Sequence, residues 1–290
     1  KKNNCVVLDD LDKCFSELEK LRNDGEGQTL MTTFDEAAEW VDCKEPLLSQ
    51  WFRTPCRGKQ LGRLFNKAMQ CQLAKECGLD VPASIIFRRG DEVNIASFSF
   101  PVILKPLVST KGTKNDIHIC YHIDDFQNAM AENSHCDKFL LQEFIEKVVM
   151  GGGIRKFRHW PKLIGAGAFG LFDKVEAYNM NVDGIGQFLK RSGYHGPFSV
   201  ELLHTKNGKD YFMEVNFRND GLAYAATCAG ANLHALYIDP SCQIDWKKFK
   251  KTYLMNYSVD FLYVKDGTVS LWQWLADLCR TRCFINLCFS

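Results

Sequence analysis

Asn207-Gly208 stands between two strand-like runs, 198–203 and 211–217, and no other dipeptide in the chain constrains the fold as tightly. Asparagine and glycine tolerate the positive φ of a tight turn, so this pair between alternating apolar runs is a strong local signal for a β-hairpin. Folding the chain about it places Lys206 opposite Lys209, Leu203 opposite Phe212 and Glu201 opposite Glu214. Asn216 then shares a face with Glu214, opposite Ser199, and Arg218 lies two residues further along that face. Directly opposed carboxylates repel, and an unpaired charge inside an apolar run is costly. A divalent cation would answer both problems. Mg²⁺ prefers oxygen ligands and is commonly held by one or two carboxylates plus phosphate, which Glu201, Glu214 and the Asn216 amide oxygen could supply. The plain alternative is a solvated acidic face.

The length of 290 residues allows about two domains. At 46% apolar and 24% charged residues the composition is that of an ordinary globular protein. The net charge of +1 provides no global field for nucleic acid or an anionic membrane. No apolar run approaches the roughly 20 residues that span a bilayer, and the start of the chain turns acidic at Asp9-Asp10, unlike a secretory signal. Thirteen cysteines without Cys-x-x-Cys spacing read as reduced thiols in a cytoplasmic protein.

Apolar periodicity predicts helices over 11–21, from Thr33-x-x-Glu36 onward, over 62–77 with Gly78 as the cap, from Asp124, over 184–192, over 222–229 and around 271–278. Strands are predicted at 29–32, 84–87, 100–106, 117–123, 139–145 and in the two arms of the hairpin. Lys105 ends the buried-type run Val102-Ile103-Leu104, and the polar loop after it carries Lys111 and Gly112, a setting suited to phosphate. A strand-end lysine reaching for solvent is the ordinary alternative. Lys67 falls within the helix from Gly62, where a solvated face would explain it equally. Glu143-Phe144-Ile145 could offer backbone groups to an adenine edge, or be a simple edge strand.

Taken in order, Lys67 before "GLDVP", Lys105 in "FPVILKP", "LQEFIE" at 141–146, "FSVELL" at 198–203 and "YFMEVNFRNDG" at 211–221 resemble the ATP-grasp superfamily over roughly residues 60–238. The resemblance is to its carbamoyl-phosphate-synthase-like branch, and "GYHGPFSVEL" with "YFMEVNFRNDG" looks most like the short D-aspartate-ligase-like carboxylate–amine ligases. It implies an α+β ATP-grasp fold, two lobes gripping ATP, and an ADP-forming ligase working through an acyl phosphate on a carboxylate and an amine, with an amino acid as one candidate substrate. It assigns Lys67, Lys105 and Lys111 to ATP phosphates, and Glu143, Phe144 and Ile145 to the adenine pocket. Glu201, Glu214 and Asn216 would hold Mg²⁺, usually as two ions. Arg218 and Lys105 would stabilise the transfer, and Arg155 and Lys156 are substrate candidates. A homodimer is the superfamily's habit.

The implied organisation is a partial, truncated Rossmann-like pre-grasp region (1–62), a small lobe (63–148), a large lobe (149–238) and a C-terminal extension (239–290). The sequence departs from the superfamily pattern in three ways. Asn66 replaces an acidic residue, no ribose-binding acid follows the adenine strand, and 147–153 is too short for the next strand. Residues are therefore expected to be missing from the count at the N-terminus and at Met150-Gly151. Two rivals remain. One is a non-catalytic nucleotide-binding module. The other is a nicotinamide oxidoreductase using Gly165-x-Gly167-x-x-Gly170 with Asp183. His118 and His122, four apart on a predicted strand, are too far separated to share one ion, and Cys279 with Cys283 on a predicted helix read as core packing rather than zinc.

Overall fold

The computed structural model describes residues 7–8, 10–22, 27–56, 61–107, 116–145, 147–150, 169–205 and 207–285, with 147–150 described as backbone. In chain order the elements are α1 (Leu11–Leu21), α2 (Asp35–Leu48), α3 (Lys67–Glu76), β1 (Ser84–Arg88), β2 (Val102–Pro106), β3 (His118–Cys120), α4 (Ile123–Glu132), β4 (Lys138–Glu143), β5 (Lys147–Met150), β6 (Phe169–Phe172), α5 (Val182–Ser192), β7 (Ser199–Thr205), β8 (Asp210–Asn216), α6 (Leu222–Ala229), α7 (Leu233–Ile238), β9 (Thr252–Met255), α8 (Tyr257–Lys265), α9 (Leu271–Arg280) and β10 (Cys283–Phe284). The class is α+β, as expected. Among the described residues no helix is long and apolar enough to cross a membrane.

Four strands form an antiparallel sheet in the order β1-β4-β2-β3. Its two faces differ because side chains alternate. Val102, Leu104, Phe139 and Leu141 pack with Phe87, Phe126 and Ala129 into one core against α4. The opposite face carries Ile103 and Lys105 of β2 beside Leu140 and Gln142 of β4. A second sheet, β5-β7-β8, lies over the core that α2, α3 and α5 share with Phe212, Val215 and Phe217. A third, β10-β9-β6, packs with α6.

The hairpin forms where the Asn-Gly pair predicts it, with one instructive difference. Glu201 does face Glu214, and Ser199 faces Asn216. Nearer the turn, however, Leu203 faces Tyr211 and Leu202 faces Phe212, because a bulge separates the two registers. The turn closes with Gly208 N–H on the Thr205 carbonyl (3.0 Å) and Thr205 N–H on the Lys209 carbonyl (2.9 Å), with Gly208 at φ +80°. The loop is thus one residue longer than a two-residue turn, and the bulge at Met213 restores the register. Its effect on packing is large. Phe212 and Val215 are an odd number of residues apart, yet both are buried in one core, at 1% and 3% exposure. Only a bulge lets an odd spacing share a face.

Several other expectations need correction. The predicted 62–77 helix is broken. Gly62–Phe65 is one 3-10 turn, and Asn66 then caps α3 by accepting from the N–H groups of Ala68 (2.9 Å) and Met69 (3.4 Å). Lys67 is therefore the first residue of α3 and not an interior one. The Thr33-x-x-Glu36 box does not form. Phe34 is the N-cap of α2, without a side-chain bond. The 29–32 strand reduces to a single bridge between Thr29 and Arg53. A strand does follow the predicted adenine segment: β5 pairs with β7 despite its shortness. Gly170 lies inside β6, paired with Leu254, where a dinucleotide fingerprint requires a helix to begin, so the nicotinamide rival loses its motif. Cys279 is in α9 but Cys283 is in β10, so they do not share a helix. Arg155, Lys156, Lys111 and the Met150-Gly151 junction lie outside the described residues.

If the bulge sets the two-faced register of β8, deleting Met213 should cost more stability than Phe212→Ala, whose own cost is about 3–5 kcal/mol. Urea denaturation of both variants checks this, and a smaller loss for the deletion would show that the register is set elsewhere.

Candidate functional site

Three elements converge on β8. Glu214 and Asn216 alternate with the core residue Val215 and line a cavity of about 170 Å³ at this end of β8, which Val215 and Phe217 also border. Asp35 and Glu39 of α2 line the same cavity, together with Phe65 and Lys67. Starting α3 at Asn66 is what brings Lys67 here. Its Nζ lies 2.9 Å from Glu214 Oε2, with both side chains about three-quarters or more buried. An ammonium thus answers one of the two opposed carboxylates, the role a divalent cation would also fill. The donor set fits Mg²⁺ in chemistry: two carboxylates in register on neighbouring strands and one amide oxygen. The amide of Asn216 is oriented by its neighbours. Nδ2 donates to Ser199 Oγ at 3.3 Å, and Oδ1 accepts from Arg218 Nη2 at 3.3 Å.

Arg218 lies just past β8. Its Nε donates to Asp35 Oδ1 at 2.7 Å, so the first turn of α2 holds the guanidinium beside Asn216. The adjacent backbone is docked too, through Asn219 N–H on the Thr32 carbonyl at 2.9 Å. Lys105 reaches the same region from β2. It is buried and donates to Gln142 Oε1 at 3.1 Å, its diagonal neighbour on β4. Burial above all, and then the charge of Lys67, lowers its pKa to about 8, while Glu214 and Glu201 oppose the shift. Cys71, one turn after Lys67, is buried nearby and its thiol is pushed up by desolvation.

Lys67, Lys105, Glu201, Glu214, Asn216 and Arg218 are therefore brought into one neighbourhood from segments up to 151 residues apart (67 to 218). The predicted adenine segment is engaged at its first residue. Glu143 is tied to Ala83 in both directions: its N–H donates to the Ala83 carbonyl (2.8 Å) and its carboxylate accepts from Ala83 N–H (3.1 Å). Phe144 and Ile145 follow beyond the end of β4, with the Ile145 side chain buried. Sequence reasoning missed Asp35, Glu39, Gln70 and Gln142. Gln142 and Gln70 did carry a signal, each being a polar residue at a position the local pattern buries, but nothing in the pattern named their partners. Among the described residues no three His, Cys, Asp or Glu side chains gather as a metal cluster.

No protein-family model matches the sequence, and no curated protein sequence matches it. Solved structures do. N5-carboxyaminoimidazole synthetase from Staphylococcus aureus, complexed with ADP, superposes with a TM-score of 0.64 at 14% identity, over 91% of this chain and 74% of that one. The biotin carboxylase domain of 2-oxoglutarate carboxylase from Hydrogenobacter thermophilus, in complex with MgADP, ADP and bicarbonate, gives 0.60 at 15% identity over 86% and 62%. L-amino acid ligase from Bacillus licheniformis gives 0.57 at 17% identity over 81% and 62%. The chain thus spans less than two thirds of the length of the last two. The likeness is one of fold, and the fold is ATP-grasp.

A lysine whose folded pKa lies below its unfolded value burdens the fold while both states are charged and is relieved once the folded form deprotonates. Stability should therefore rise between pH about 8 and the ordinary lysine range near 10.5. Urea midpoints across that window, wild type against Lys105→Met, measure this: the variant should lack this part of the rise. Parallel curves would place the titration elsewhere.

Proposed function

We propose that the chain is an ADP-forming carboxylate–amine ligase of the ATP-grasp type. The observation that carries this reading is the meeting of Glu201, Glu214 and Asn216 with Lys67, Lys105 and Arg218 on one face of β7 and β8. Opposed carboxylates and converging cations in one partly buried site suit a bound, metal-complexed polyphosphate better than any neutral ligand. The complexes of the fold neighbours with ADP or MgADP support ATP and Mg²⁺ as the bound species.

A carboxylate is a poor electrophile, and phosphorylation remedies that. One carboxylate oxygen attacks the γ-phosphorus, the bond to the β–γ bridging oxygen breaks, and ADP leaves. The amine then attacks the acyl carbon, the C–O bond to phosphate breaks, and the amine proton passes to solvent. Such transfers depend on positioning and charge neutralisation more than on a protein nucleophile, and no Ser/His/Asp constellation is required. Mg²⁺ held by Glu201, Glu214 and Asn216 would neutralise phosphate charge. Lys105 and Lys67 would meet phosphate oxygens, and Phe144 and Ile145 would border the adenine. Arg218, steadied by Asp35, would meet the transferred phosphoryl group. Lys111, Arg155 and Lys156 belong to this proposal on the sequence resemblance alone. An amino acid is the substrate class we favour, in line with the L-amino acid ligase among the neighbours. A cytoplasmic setting belongs to this proposal on the cysteine pattern of the sequence alone.

Glu214→Ala and Arg218→Ala should each lower ADP release by roughly 10²–10³-fold, as loss of one transition-state stabiliser does, while circular dichroism stays native. The assay is ADP release from Mg-ATP over paired amino acids and small carboxylates, with products identified by mass. Mg-ATP binding without ADP release for any pair would favour a non-catalytic nucleotide-binding module instead.

A further inference from the structure

Gln70 is a polar side chain at only 4% exposure, on the inward face of α3. A buried amide needs partners on both its donor and its acceptor side, and here all of them are backbone groups. Gln70 Oε1 accepts from Val215 N–H at 2.7 Å, and Nε2 donates to the Val215 carbonyl at 3.1 Å and the Leu64 carbonyl at 2.7 Å. The reverse amide orientation would set oxygen against two carbonyls, so the network itself assigns the atoms.

The place where this happens matters. β8 is the outer strand of β5-β7-β8, and an outer strand presents unpaired backbone groups. Gln70 pairs with those of Val215 as a neighbouring strand would. Val215 also buries its own side chain, at 3% exposure, so this residue is held both by packing and through its backbone. The residues on either side are Glu214 and Asn216, which alternate with Val215 along the strand. Lys67, which pairs with Glu214, sits one turn before Gln70 on the same helix. One helix face therefore grips the strand at two consecutive residues: 214 through a side chain and 215 through its backbone.

We propose that Gln70 is a positioning residue for the divalent cation. By fixing the peptide plane on each side of Val215, it sets the direction and separation of Glu214 and Asn216. It also registers that pair to the helix carrying the phosphate-facing Lys67. The inference rests on the metal reading given above and extends it to a residue whose side-chain hydrogen bonds all go to backbone.

The probe is Mn²⁺ in place of Mg²⁺, titrated by electron paramagnetic resonance into folded protein with a non-hydrolysable ATP analogue. Gln70→Met preserves length and apolar packing and removes all three hydrogen bonds. It should weaken Mn²⁺ binding about 10–100-fold, the usual effect of losing a residue that orients a ligand, while metal-free affinity for the analogue stays near wild type. Leu73→Val, which loosens the same helix from its core but keeps the three bonds, should bind Mn²⁺ like wild type. Unchanged Mn²⁺ binding in Gln70→Met, or an equal loss in Leu73→Val, would overturn the positioning role. If Gln70→Met does not fold, the wild type decides. Coupling is reciprocal, so Mg²⁺ with the analogue should slow hydrogen exchange at the Val215 amide, and unchanged exchange would refute the proposal. A folded wild type that takes up no Mn²⁺ with the analogue would instead defeat the metal reading itself.

Discussion

The site depends on β8 having two faces of opposite character within seven residues. Phe212 and Val215, with Phe217 just beyond the strand, go into the core under α3 and α5, while Glu214 and Asn216 go into the cleft. A regular strand cannot do this, because Phe212 and Glu214 would share a face. The bulge reconciles the two demands by resetting the alternation between them. Hydrophobic burial favours it on one side. On the other it delivers two oxygen-bearing side chains to the same place as Glu201.

Placing two carboxylates opposite each other stores repulsion that something else must answer. The answer comes from α3, whose first residue, Lys67, closes on Glu214. Lys105 contributes from the other sheet, held in its buried position by Gln142. The resulting balance is electrostatic and incomplete. Lys105 sits beside Lys67 with its charge disfavoured, so an anionic ligand would relieve the strain between the two cations. The +1 net charge of the whole chain conceals this local separation of charge.

The two ends of β8 are tied to different parts of the chain. At the start, Phe212 N–H donates to the Asp80 carbonyl (2.7 Å), in the middle Gln70 holds Val215, and past the end Asn219 N–H donates to the Thr32 carbonyl (2.9 Å). Asp35 holds Arg218 beside this last contact. The outer edge of the hairpin is therefore satisfied by the α3 region and the segment leading into α2, which makes those two segments part of the site and not merely its neighbours.

Much of this was legible in the residues themselves. Asn207-Gly208 implied the hairpin, and counting outward from it paired Glu201 with Glu214. That pairing was right although the count near the turn was off by one, since the longer loop and the bulge cancel. The buried run before Lys105 and the alternation in β4 were local patterns, and local patterns are what a sequence displays. The cap at Asn66 was misread because a helix pattern running through 62–77 conceals a break that depends on one side chain accepting two N–H groups. Asp35 and Gln70 were invisible for a deeper reason. Their partners lie 183 and 145 residues away, and neither an aspartate at a helix start nor a glutamine on a helix face says which distant backbone or guanidinium it will meet. The sequence by itself determined which polar side chains the hairpin would bring opposite one another, Glu201 with Glu214 and Ser199 with Asn216. Only the tertiary structure decided what holds those side chains in place, because that is a matter of long-range packing between α2, α3 and the edge of β8.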